Sequence, residues 1–121
     1  MEIGNIDKKL KEASEDPKVK IKHASVVEGL HIGYHVAEIN QQVQAHAHKE
    51  GDELYHVLKG KGLMYIGKVK FEREKPVKVE WERPVKVEIN DVFNIPGGYA
   101  HSLKNIGGKP LVIGFICPLP I

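Results

Sequence analysis

The chain has 121 residues, of which 41% are hydrophobic and 28% charged, with a formal net charge of +2. That length can bury one core without disulfide staples, and a small positive charge spread along the chain argues against a nucleic-acid partner. Cys117 is the only cysteine, which excludes an internal disulfide and a cysteine-rich zinc finger.

The first twenty residues are charged and lack the apolar core of a signal peptide. The most apolar stretch, "LVIGFICPLPI", is shorter than the roughly 20 residues needed to cross a bilayer. A cytoplasmic protein with no membrane partner is expected. Lysine outnumbers arginine and glutamate outnumbers aspartate, a bias seen in heat-adapted proteins.

In chain order, residues 1–18 read as a helical segment. Ile6, Leu10 and Ala13 fall at helical spacing, Asn5 can cap the start and Pro17 ends it. Residues 19–121 read as one all-β domain. "VKIKH", "LHIGYHVAEI", "ELYHVLKG", "GLMYIGKVKFE", "VKVEW", "VKVEI", "DVFNIP" and "LVIGFI" are short and rich in β-branched and aromatic residues. Glycine or proline separates most of them, the pattern of a sandwich or barrel. "KPVKVE" recurs eight residues later as "RPVKVE", which reads as two polar, partly exposed strands of a hairpin-like excursion.

His46 and His48 stand at i and i+2, so on a strand they share a face. The turn-like "KEGD" then lets Glu53 return beside them. On its strand Glu53 shares a face with Tyr55 and Val57, while His56 points the other way. His101 follows "NIPGGYA", a tight turn that starts a new strand, so it can approach from a different wall. His23, His31 and His35 read as satisfied core or surface histidines, with His35 a candidate for supporting the site from behind. Cys117 reads as a buried, inert thiol.

These residues resemble the two cupin motifs, G-x5-H-x-H-x3/4-E-x6-G and G-x5-P-x-G-x2-H-x3-N. His46, His48, Glu53 and Gly60 match the first; Pro96, Gly98, His101 and Asn105 match the second. Asn40 and Asn90 replace the two leading glycines, and asparagine is among the residues most tolerant of positive φ. The resemblance implies an antiparallel β-barrel of jelly-roll type, a homodimer, and one divalent metal ion held by His46, His48, Glu53 and His101. Three imidazoles and one carboxylate suit Fe, Mn, Ni, Co, Cu or Zn. Tyr55, Leu103 and Asn105 are candidates to line the pocket.

Four protein ligands on an octahedral ion leave two open positions, the mark of a catalytic site. The expected function is a metal-dependent enzyme, an oxygenase or an isomerase or lyase, acting on a small organic substrate. A non-catalytic module that binds or senses a small molecule is the alternative, and a structural metal site is a third. No arginine lies near either motif, which argues against a clamp for a phosphorylated or dicarboxylate substrate.

Overall fold

Asn5 opens the helix α1 (Ile6–Glu12), its side chain accepting a hydrogen bond from the Lys8 amide at 3.0 Å. The computed structural model describes residues 1–17, 21–43, 45–47 and 51–119. The helix ends at Glu12, short of Pro17, because Ala13 is already extended.

The rest of the described chain is built from strands. They are β1 (Glu15–Asp16), β2 (Ile21–Glu28), β3 (Ile32–Ile39), β4 (His46–Ala47), β5 (Glu53–Lys59) and β6 (Lys61–Glu72). β7 (Lys75–Trp81), β8 (Val85–Glu88), β9 (Val92–Ile95), β10 (Tyr99–Asn105) and β11 (Leu111–Pro118) complete them. They form two antiparallel sheets. One has the order β1-β2-β3-β11-β5-β9; the other runs β4-β10-β6-β7, with β8 also on β6. The fold is an antiparallel jelly roll with one short helix.

Side-chain alternation sorts the first sheet into two faces. Its inner face supplies Ala37, Ile39, Tyr55, Val57, Ile95, Leu111 and Ile113 to the main core, which the second sheet closes with Met64, Val87 and Leu103. Its outer face carries Val26, Val36 and Val112, against which Ile6 and Leu10 of α1 pack. The helix therefore packs over β2 and β3, and of the "LVIGFI" strand only Val112 belongs to that cluster.

The two copies of the "PVKVE" repeat do not pair with each other. β7 lies along residues 67–72 of β6 and β8 along residues 61–64, so both follow the same long strand. The expected hairpin is replaced because β6 is twelve residues long and offers both segments a partner. The turn from β6 to β7 is made by Arg73 and Glu74, both at positive φ (50° and 66°), the geometry of a two-residue type I′ hairpin.

Candidate metal centre

Three of the four candidate ligands, His46, Glu53 and His101, come together from three strands. β4 pairs with β10 so that His46 lies opposite His101, and their rings meet edge to face with centroids 4.0 Å apart. Glu53 opens β5 on the inner face of the other sheet and is 3% exposed; His101 is 2% exposed. One ligand atom from each of His46, Glu53 and His101 lies within 4.8 Å of the others. Two ligands on a single ion, each at about 2.1 Å, stand between about 3 and 4.2 Å apart. His46, Glu53 and His101 would together hold a divalent ion, and the two-imidazole, one-carboxylate set suits a transition metal. His48 lies outside the described residues.

Local chemistry explains how the two halves of the site meet. Gly51 takes φ +85°, turning the chain into β5. Asp52 then bonds across to the other motif: its Oδ1 accepts from the Gly97 amide at 3.1 Å, and its Oδ2 from Asn94 Nδ2 at 3.3 Å. Gly98, at φ +83°, completes the turn from which His101 follows on β10. Asp52 did not stand out in the sequence, yet it ties the glutamate turn to the turn before His101.

Tyr55 lies between two of the candidate ligands. Its hydroxyl donates to Glu53 Oε2 at 3.4 Å and stands 3.0 Å from His101 Nε2. Burial, and then the neighbouring Glu53, hold this phenol well above its ordinary range, so it stays protonated at neutral pH. His56, on the opposite face of β5, takes no part in the cluster.

The cluster forms part of the wall of a cavity of about 260 Å³. Tyr55 and Leu103 line it, together with Phe115 and with His23, which the sequence presents as a satisfied histidine. Asn105, the third pocket candidate, is occupied elsewhere. Its Nδ2 donates to Ile39 O and Lys109 O at 3.0 and 2.8 Å, and its Oδ1 accepts from the Gly107 amide at 2.9 Å. This motif asparagine therefore holds the loop after β10. Among the described residues no lysine or arginine lines the cavity.

Cys117 is 1% exposed, and its thiol faces Gly33 O at 3.9 Å. Burial, reinforced by Glu53 and Glu28, pushes the thiol up from 9.0 to about 11.

Residues 26–121 match the family model described as glucose-6-phosphate isomerase (GPI). The chain belongs to that family. It is also 29% identical over 85 residues to the uncharacterized protein MJ1618 of Methanocaldococcus jannaschii, an alignment covering 70% of this chain and 56% of that one. The chain thus spans little more than half the length of this relative. Among solved structures, a cupin domain from Schizosaccharomyces pombe superposes with a TM-score of 0.68 at 17% identity, covering 90% of this chain and 66% of that one. The hydroquinone 1,2-dioxygenase of Sphingomonas sp. TTNP3, with 4-hydroxybenzoate bound, gives a TM-score of 0.74 at 11% identity over 95% and 72% of the chains. These likenesses establish a small cupin domain. No helix among the described residues is long and apolar enough to cross a membrane.

Proposed function

We propose that this family member is a metal-dependent isomerase that moves a proton between adjacent carbons of a small hydroxycarbonyl compound in the barrel cavity. The observation that carries the reading is the convergence of His46, Glu53 and His101 on the cavity wall. The family to which the chain belongs bears the name of a hydroxycarbonyl isomerase, which favours this reaction over an oxygenase. A dioxygenase of similar fold supports only the architecture.

His46, Glu53 and His101, with His48 as the fourth proposed ligand, would hold the ion. When bound, a divalent ion supplies polarisation of a carbonyl oxygen. The aliphatic and aromatic wall, including Ile39, Leu103, Ile113 and Phe115, surrounds the polar groups with apolar side chains. The neutral Tyr55 hydroxyl orients Glu53 and His101. A binding module remains the second reading, favoured by the largely apolar wall.

We also propose a cytoplasmic homodimer. Beyond the reach of α1, Ile32, Leu54 and Val92 are exposed on the outer face of the first sheet. A second copy would cover them, and sedimentation equilibrium tests it.

Protein purified without tag or chelator should carry about one equivalent of a transition metal, lost in His101→Ala. The loaded protein should interconvert a hydroxyaldehyde and its ketone, with phosphorylated and unphosphorylated substrates compared directly. Failure to bind any of the six metals after reconstitution would overturn the proposal. Metal binding and ligand-induced stabilisation without product would move the reading to the binding module.

A further inference from the structure

Glu28, His35 and His23 form a chain of side chains that runs from exposed Glu28 through buried His35 to His23, which is itself exposed and lines the cavity. His35 is 4% exposed; its Nδ1 is hydrogen-bonded, while its Nε2 has no aligned hydrogen-bond acceptor among the described residues and meets only the charge of a carboxylate. Its Nε2 stands 3.3 Å from Glu28 Oε1, and its Nδ1 stands 3.0 Å from His23 Nε2. The Glu28 side chain is 47% exposed; His23, also exposed, lines the cavity that the candidate metal ligands border. The two imidazoles stack with centroids 5.1 Å apart, and Phe115 lies 5.7 Å from His23 and 5.5 Å from His35.

Strand register builds this chain. Ser25 faces His35 and His23 faces Ala37, so the two histidines are diagonal neighbours on one face of the β2–β3 pair. Strict alternation would send Glu28 to the opposite face. A bulge between Ser25 and Val27 adds one residue and places Glu28 opposite Gly33, on the face of His23. Gly33 leaves room for the pair: a Cβ there would come within 3.2 Å of His35 Nε2 and 3.4 Å of Glu28 Cγ.

The order of partners decides where the protons sit. The Glu28 carboxylate stands beside Nε2 as a negative charge rather than an aligned acceptor, and that charge favours the proton of neutral His35 on Nε2. His35 Nδ1 is then an acceptor and takes the proton of His23 Nε2. His23 Nδ1 is left with a bare lone pair. We propose that Glu28, His35 and His23 are a carboxylate–imidazole–imidazole relay, and that His23 Nδ1 is the general base of the cavity.

The base role rests on the isomerase reading. In that reaction Nδ1 takes the hydrogen of the hydroxyl-bearing carbon as a proton, the C–H electron pair becomes a C=C bond, and the carbonyl π pair moves onto its oxygen, giving an enediolate. Return of the proton to the former carbonyl carbon, with the hydroxyl proton passing to the former carbonyl oxygen, gives the isomer. One carbon is oxidised as its neighbour is reduced, so no external oxidant, reductant or co-reactant is consumed. While His23 holds the proton, its Nε2–H still donates to His35, and the Glu28 carboxylate balances the charge through that ring.

Two measurements on the full chain test this. Long-range ¹⁵N–¹H spectra at about pH 8, where an ordinary histidine is neutral, should find His23 protonated on Nε2 alone. Glu28→Gln, a change at an exposed side chain, should give a mixture of tautomers. A His23 protonated on Nδ1, or a tautomer indifferent to Glu28→Gln, would overturn the relay. Metal-loaded protein in D₂O should wash deuterium into D-glyceraldehyde at the hydroxyl-bearing carbon. His23→Gln should lower kcat by about 10²–10⁴-fold with metal content and KM unchanged, and Glu28→Gln should lower kcat by a smaller factor. Full kcat in His23→Gln would overturn the base role. Absence of exchange in the unmodified protein would overturn the isomerase reading and the base role with it, while the tautomer spectra would still decide the relay.

Discussion

The hydroxyl of Tyr55 stands 3.0 Å from Nε2 of His101, joining a residue of β5 to one of β10. Those strands belong to different sheets. The same hydroxyl donates to Glu53, so one phenol touches a candidate ligand from each wall of the barrel. A ligand pair shared between two sheets is only as well placed as the contact between them. Phe115 and Phe93 flank the Tyr55 ring at 5.1 and 5.5 Å and limit how far it can turn.

Tyr55→Phe should therefore keep the fold and weaken the metal site. The ring and its packing survive, while the contacts to Glu53 and His101 are lost. Partners that orient metal ligands typically contribute 10–100-fold in affinity, and a loss in that range is expected from competition with a chromophoric chelator. An unchanged affinity would mean that Tyr55 serves only the core.

Acid pH should destabilise the protein partly through His23. Burial, and then the neighbouring His35, hold its imidazole below the ordinary 6.5. The native state thus resists a proton that the unfolded chain accepts near pH 6.5. Below that value the unfolded state binds more protons, so the free energy of unfolding falls as pH falls. The denaturation midpoint should drop between pH 7.5 and 5, and drop less in His23→Gln. Parallel slopes for the two proteins would remove His23 from the account.

The motif spacing made much of the site legible. His46, Glu53 and His101 could be placed in one constellation because alternation on a strand and a glycine turn are both visible in a sequence. The relay was not, for a specific reason. The bulge after Ser25 reverses the face of Glu28, and no residue type announces it. The β6–β7 turn was hidden similarly, since Arg73 and Glu74 occupy positions where asparagine and glycine are the usual signals. The partners of the "PVKVE" segments depend on the length of β6, a long-range property that a local repeat does not encode.

The second substituted motif glycine makes a backbone prediction. Asn90 takes φ +73°, with its amide bonded to Val57 O at 2.9 Å, while Asn40 is not among the positive-φ residues. Asn90→Ala should destabilise by about 1 kcal/mol, because a Cβ without a compensating polar group disfavours the left-handed region. Asn90→Gly should be tolerated within a few tenths of a kcal/mol. At position 40 the alanine variant should incur no such backbone cost, although it also loses the Asn40 hydrogen bond to Glu15 at 2.8 Å. Urea midpoints at constant m-value would separate these cases.

Cys117 should be an unreactive thiol in the native protein. Nucleophilic attack requires thiolate, and the folded thiol is pushed up from 9.0 to about 11. At pH 8 that lowers the thiolate fraction by about a hundredfold relative to the ordinary value. Access lowers the rate further, since the side chain is 1% exposed. Alkylation by iodoacetamide should then proceed through opening of the structure rather than on the native state, and accelerate sharply in denaturant. Cys117→Ala should be active and slightly less stable, because it removes a buried sulfur and leaves a small void. Rapid labelling of the native protein at pH 8 would show instead that β11 opens beside Gly33 often enough to expose the cavity wall.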